Sequence, residues 1–172
     1  VTYFLDDEVG YFQSDKMTRL AKLAFNEFGA DIVIPFDADE FWTGYHMPLS
    51  DILKECQEDI INIHLYNYFS SESDSDISNP FERIIHRDVN NAPLNKVAIR
   101  KMNDFIIHQG NHSASGSGSV GIAHNCMIGH FPWRSFIQFK NKIDNGYRAY
   151  IASGLPEDMG THWRSYGKIL HE

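Results

Sequence analysis

The sequence holds only two cysteines, Cys56 and Cys126, both inside apolar segments. That excludes a disulfide framework, and neither cysteine sits at a zinc or thioredoxin-type spacing, so two free buried thiols are expected. No apolar run reaches the roughly 18 residues that a membrane span needs. Val1 to Leu5 runs directly into Asp6-Asp7-Glu8, with no basic region or small-residue cleavage site, so no signal peptide is read there. Basic residues are outnumbered: 15 Lys and Arg face 23 Asp and Glu, for a formal charge of −8. That balance argues against a nucleic-acid surface. It leaves phosphate-bearing ligands open, because a bound metal reverses the local sign. The Gly/Ser run Ser113 to Ser119 lacks both the Lys and the following helix of a phosphate-binding P-loop, and reads as a hairpin connection.

What is present suffices for one packed domain over residues 1–172: 42% hydrophobic and 13% aromatic residues, with no internal repeat and no boundary. An amphipathic helix is predicted over 15–28, with Ser14 as cap, Met17, Leu20, Ala21, Ala24 and Phe28 as its apolar stripe, and Gly29 closing it. A buried strand follows at 31–36, which suggests an α/β unit with a parallel sheet. Ser50 is expected to cap a short helix carrying Ile52, Leu53 and Cys56. Further strands are read at 59–66, 82–86, 96–102, 104–109 and 120–130, and helices from near Ser135 and around 163–170. The polar stretch 70–80 reads as a surface loop, or as one that orders over substrate.

The chemistry concentrates at Asp37-Ala38-Asp39-Glu40, directly after the strand at 31–36. Three carboxylates within four residues repel one another, so water or a cation must offset them. A hard ion such as Mg²⁺ or Mn²⁺ takes one or two carboxylates and completes its shell with water and phosphate. A solvated acidic turn is the plainer alternative. Nine histidines is many for this length, and His112 and His130 both fall at predicted strand ends.

Taken in order, several blocks resemble the family 2-like nucleotide-sugar glycosyltransferases of GT-A fold. They are the helix with Gln13, Arg19 and Ala24; Gly29 to Trp42; Gly110-Asn111-His112; His130-Phe131-Pro132-Trp133-Arg134-Ser135; Phe139 to Lys142; and Asn145-Gly146-Tyr147. The acidic turn matches the branch whose D-x-D element reads Asp-Ala-Asp-Glu-Phe. The resemblance implies an α/β fold with a mixed, mostly parallel sheet flanked by helices. It implies a divalent metal, Mn²⁺ or Mg²⁺, a nucleotide-sugar donor and a saccharide or lipid-linked acceptor. It also implies a place at the cytoplasmic side, with peripheral contact to the inner face of the membrane.

Carried over, Asp37 and Asp39 hold metal and donor, Glu40 contacts the sugar or backs the metal ligands, and His130 or His112 completes the metal shell. Arg134, four residues beyond His130, is placed to clamp a phosphate. An inverting reaction also needs a carboxylate base. Asp104, Asp88, Glu157 and Asp158 are the candidates, with Asp104 and Asp158 put first, and the choice stays open. In such enzymes nucleoside-binding units precede the D-x-D strand by many tens of residues, whereas 36 residues precede Asp37. The chain is therefore expected to carry the C-terminal part of the fold, its nucleoside half lying upstream, supplied by a partner or lost. A metal-dependent phosphoester hydrolase and a non-catalytic binding module are the rival readings.

Overall fold

A computed structural model describes residues 1–71 and 79–171. The strands expected in one sheet form two four-stranded sheets and a hairpin. The first sheet runs β1 (Ile32–Val33), β6 (Lys96–Arg100), β3 (Ile60–Ile63), β9 (Val120–Ile122). The second runs β2 (Glu40–Gly44), β10 (Cys126–His130), β4 (Leu65–Phe69), β5 (His86–Arg87). β7 (Phe105–Ile107) pairs with β8 (Ala114–Gly116). The architecture is thus mixed α/β.

Among the described residues, only two of the seven pairings are parallel, β10 with β4 and β3 with β9. This corrects the expectation of a mostly parallel sheet. Parallel neighbours need long crossovers, usually helical. Here β3 and β4, and then β7 to β10, follow one another with short connections, and among the described residues the only α-helices between β2 and β10 are α2 (Leu49–Glu55) and the four-residue α3 (Pro80–Arg83).

Local chemistry explains other departures. The apolar stretch 59–66 divides at His64 into β3 and β4, which serve different sheets, and the stretch 120–130 divides into β9 and β10 in the same way. The expected strand at 82–86 holds instead the end of the short helix α3 and two irregular residues, with strand only from His86, where β5 begins; Asn79 Oδ1 accepts from the Phe81 N–H at the helix start. Helix α1 spans Gln13–Glu27, so Ser14 lies inside it and donates its hydroxyl to the Ile107 carbonyl at 2.6 Å. Ser50 likewise lies inside α2, whose cap position is Pro48. The Gly/Ser run is part strand, at β8. Residues 72–78 of the expected polar loop lie outside the described residues.

The chain divides into two compact units. One, Gln13–Arg134, carries both sheets and two apolar clusters: Ile52, Leu53, Ile61, Ile63, Leu65 and Ile128 with their neighbours, and Ala21, Phe25, Val97, Ile99 and Ile107 with theirs. The other, Val1–Phe12 with Ser135–Glu172, is built on α4 (Phe136–Ser153) and α5 (Thr161–His171). Ser135 caps α4 by accepting from the Gln138 N–H, and Gly154 closes it at φ 63°. Gly146 lies under the Trp163 ring and Gly167 under Tyr147, where a Cβ would collide. Both cysteines are free, as expected. Among the described residues no helix is long and apolar enough to cross a membrane.

Candidate functional site

The cation that the acidic turn requires comes partly from the chain itself. Lys96, at the start of β6, is 3% exposed. Its ammonium lies 2.7 Å from Asp37 Oδ2, 2.5 Å from Glu40 Oε1 and 2.7 Å from the Gly110 carbonyl. The contacts to Asp37 and Gly110 are hydrogen bonds, and the contact to Glu40 is a close ion pair. Glu40 folds back over its own turn: its Oε2 accepts from the Asp37 N–H and from Trp42 Nε1. Asp37 Oδ1 accepts from Gln13 Nε2 at 3.1 Å and Asn111 Nδ2 at 3.4 Å, and Gln13 Oε1 accepts from the Gly110 N–H. The start of α1, the turn, β6 and the loop at 109–111 are thereby locked together. Glu40 is wholly buried, and burial pushes its carboxyl above the usual range although Lys96 pulls the other way.

Asp39 faces another direction. Its carbonyl accepts from the Phe131 N–H at 2.9 Å, and its Oδ2 lies 3.7 Å from His130 Nε2. The β2–β10 ladder sets this up by placing His130 opposite Glu40. On its other side His130 Nδ1 meets Asn67 Oδ1 at 2.9 Å. An amide oxygen only accepts, so Nδ1 donates to Asn67, and Nε2 is the ring nitrogen turned toward Asp39. His112 repeats the arrangement with its Nδ1 at 3.0 Å from the Asn95 carbonyl, and burial holds its pKa below the ordinary value.

Most of the site residues named from the sequence therefore meet in one unit. Asp37, Asp39, Glu40, His112 and His130 share a neighbourhood, with Asp37 and Glu40 committed to Lys96 and Asp39 paired with His130. Arg134 follows in an irregular segment rather than on a helix, because Pro132 lacks an N–H and restrains Phe131. Its carbonyl accepts from Arg83 at 2.6 Å. Asp104 is exposed, at the end of β7 away from the 109–111 loop. Asp158 is exposed in the α4–α5 unit, where Glu157 lines a cleft of about 200 Å³ with Arg164 and Lys168. Trp42 packs on the core, and Trp133 is 53% exposed.

Sequence reasoning missed Lys96 and Asn67. Lys96 sits in an apolar strand where alternation suggests nothing special, and Asn67 falls between two tyrosines. A lone Lys flanked by Asn95 and Val97 in a buried strand was the available signal, since lysine is rarely buried without a partner.

Among the described residues no group of three or more His, Cys, Asp or Glu side chains stands ready to hold a metal. The donor set is the smaller one of Asp39 and His130, a carboxylate and an imidazole oriented by an amide. It suits an ion that takes its remaining ligands from water and phosphate. Comparison of the chain with protein-family models, curated proteins and solved structures found no match.

Proposed function

We propose that this chain carries the metal end of a nucleotide-sugar glycosyltransferase site. The observation that supports it is the pair Asp39 Oδ2 and His130 Nε2, a carboxylate oxygen and an imidazole nitrogen facing each other at 3.7 Å, beyond hydrogen-bond length. With Nδ1 engaged by Asn67, Nε2 is the ring nitrogen left to serve, with the Asp39 carboxylate, as a ligand for a divalent cation. Asp39 and His130 would hold it, and when bound it supplies Lewis-acid stabilisation to the leaving diphosphate. The residues of the chain do the rest. Lys96 keeps Asp37 and Glu40 in place without drawing on the metal, so the turn is shaped before ligand arrives. Asn67 orients the His130 ring through Nδ1. His112, its Nδ1 tied in the same way, stands beside them. Mn²⁺ or Mg²⁺, a nucleotide-sugar and a saccharide or lipid-linked acceptor complete the proposal.

Lys96 also favours a second reading, a non-catalytic module, because it already satisfies two of the three acids. A thermal-shift panel of Mn²⁺, Mg²⁺, UDP, GDP and their hexose conjugates separates the two. On the glycosyltransferase reading, Mn²⁺ at a hundred times its dissociation constant adds about 2.7 kcal/mol, and Asp39→Asn abolishes the gain while the fold survives. A wild type indifferent to metal and nucleotide rejects it in favour of the module.

A further inference from the structure

We infer that Asp88 is the general base that takes the proton from the acceptor hydroxyl, an inference that rests on the glycosyl-transfer reading above. Four side chains form one row across the second sheet. Glu40 on β2 stands opposite His130 on β10, and His130 stands opposite Asn67 on β4. β4 pairs with β5 at Tyr68 with Arg87, and the ladder runs one step further, since the Asp88 N–H donates to the Asn67 carbonyl at 2.9 Å. Asp88 therefore stands opposite Asn67.

The face follows from the neighbours. The Arg87 guanidinium lies 4.4 Å from the centre of the Tyr66 ring, and Tyr68 stacks on Phe131. A Cβ on Gly129 would meet the Tyr68 ring at 3.2 Å. Tyr66, Tyr68, Arg87 and Gly129 thus share one face of the sheet. Successive residues of a strand alternate, so Asn67, His130 and Asp88 belong to the opposite face, with Glu40.

The row ends in chemistry that fits one reaction. Of its two carboxylates, Glu40 is buried against Lys96, while Asp88 is exposed and makes no hydrogen bond through its side chain among the described residues. Two strand spacings separate the backbones of His130 and Asp88, about 10 Å. Asn67, already bonded to His130, floors that gap. The gap suits a sugar ring lying between a metal-bound diphosphate at one end and an incoming hydroxyl at the other. In the step itself the acceptor oxygen forms a bond to the anomeric carbon as the bond from that carbon to the diphosphate oxygen breaks. The electron pair leaves with the nucleoside diphosphate, and the hydroxyl proton passes to the Asp88 carboxylate and then to water. Attack from the face opposite the leaving group inverts the anomeric centre. Asp104 lies beyond β7, away from this row, and Asp158 belongs to the other unit.

The test measures nucleotide release from a panel of UDP- and GDP-hexoses with Mn²⁺, in wild type and Asp88→Asn, with and without azide. Calorimetric affinities for Mn²⁺ and for the nucleotides are taken in parallel. Asp88→Asn should keep both affinities and lose about 100-fold or more in release to water or alcohols. Azide attacks without shedding a proton, so it should restore release in the variant and yield a glycosyl azide. Release equal to wild type, loss of nucleotide affinity along with release, absence of azide rescue, or a wild type that binds donor yet releases nothing with or without azide each overturns the role of Asp88. A wild type without Mn²⁺-dependent nucleotide affinity removes the glycosyl-transfer reading itself, and Asp88's role with it.

Discussion

Lys96 Nζ lies 2.5 Å from Glu40 Oε1, the glutamate side chain wholly buried and the lysine side chain nearly so. Removing one partner of such a pair strands the other charge in a medium that solvates it poorly. Lys96→Met should therefore destabilise the chain by about 3–5 kcal/mol, read from urea denaturation. Adding Glu40→Gln to that variant should recover part of the loss, because the buried charge goes with it. A Lys96→Met chain as stable as wild type would show that the pair does not hold the turn.

His112 gives the site a pH dependence of known sign. Burial is the largest influence on its ring, and it lowers the pKa from 6.5, with Lys96 acting in the same direction and the Asn95 carbonyl opposing. A histidine whose folded pKa lies below its unfolded one contributes stability above the unfolded value. That contribution is lost as pH falls through the folded value. Glu40, raised from 4.5, acts in the opposite sense: its contribution is complete below 4.5 and fades as pH rises through its folded value. Comparing wild type with His112→Asn isolates the histidine. The midpoint of thermal unfolding should fall less steeply with acidification below 6.5 in the variant. Parallel pH profiles for the two proteins would remove His112 from the account.

The sequence patterns that survived in the structure are those fixed by local chemistry. Helix α1, Gly29 in its left-handed closing conformation and the start of α4 near Ser135 all depend on residues within a turn or two of one another, although it is Phe25 and not the expected Phe28 that α1 buries in the core. The acidic turn and the two histidines were also legible, because carboxylates and imidazoles at strand ends stand out by type. Strand partners were not. His64 looks like any other residue of an apolar run, yet the chain changes sheets there, and only the pairing partners of β3 and β4 decide it. Lys96 and Asn67 act across 59 and 63 residues, on Asp37 and His130 respectively, and no local period encodes such a separation. The metal question depends on those two residues, so it was the part of the site least open to reading from sequence.

Asn67 offers a way to weigh His130 as a ligand without removing it. Its amide oxygen holds His130 Nδ1 at 2.9 Å, and partners of this kind typically carry a factor of about 10–100 in metal affinity. Asn67→Ala should weaken Mn²⁺ binding by that factor in calorimetry and leave the fold intact, since Asn67 is held in the middle of β4 by backbone pairing that the change does not touch. His130→Asn should weaken it further. Equal affinities across wild type and both variants would mean that the ion, if it binds, sits elsewhere.

Gly110 tests how tightly the 109–111 loop is tied to the acidic turn. It has φ 76°, and a Cβ there would lie 2.5 Å from His112 Cδ2 and 2.8 Å from its Nε2. Its carbonyl accepts from Lys96 and its N–H donates to Gln13. Alanine at this position meets two penalties: a left-handed backbone, about 1–2 kcal/mol, and a displaced imidazole. Gly110→Ala should lower stability by at least the first amount and alter the His112 ring resonances in NMR spectra. Mn²⁺ affinity then separates the two histidines. If His130 is the ligand with Asp39, a folded Gly110→Ala chain should bind the ion within a few-fold of wild type. If His112 is the ligand instead, moving its ring should cost more than the Asn67→Ala change does.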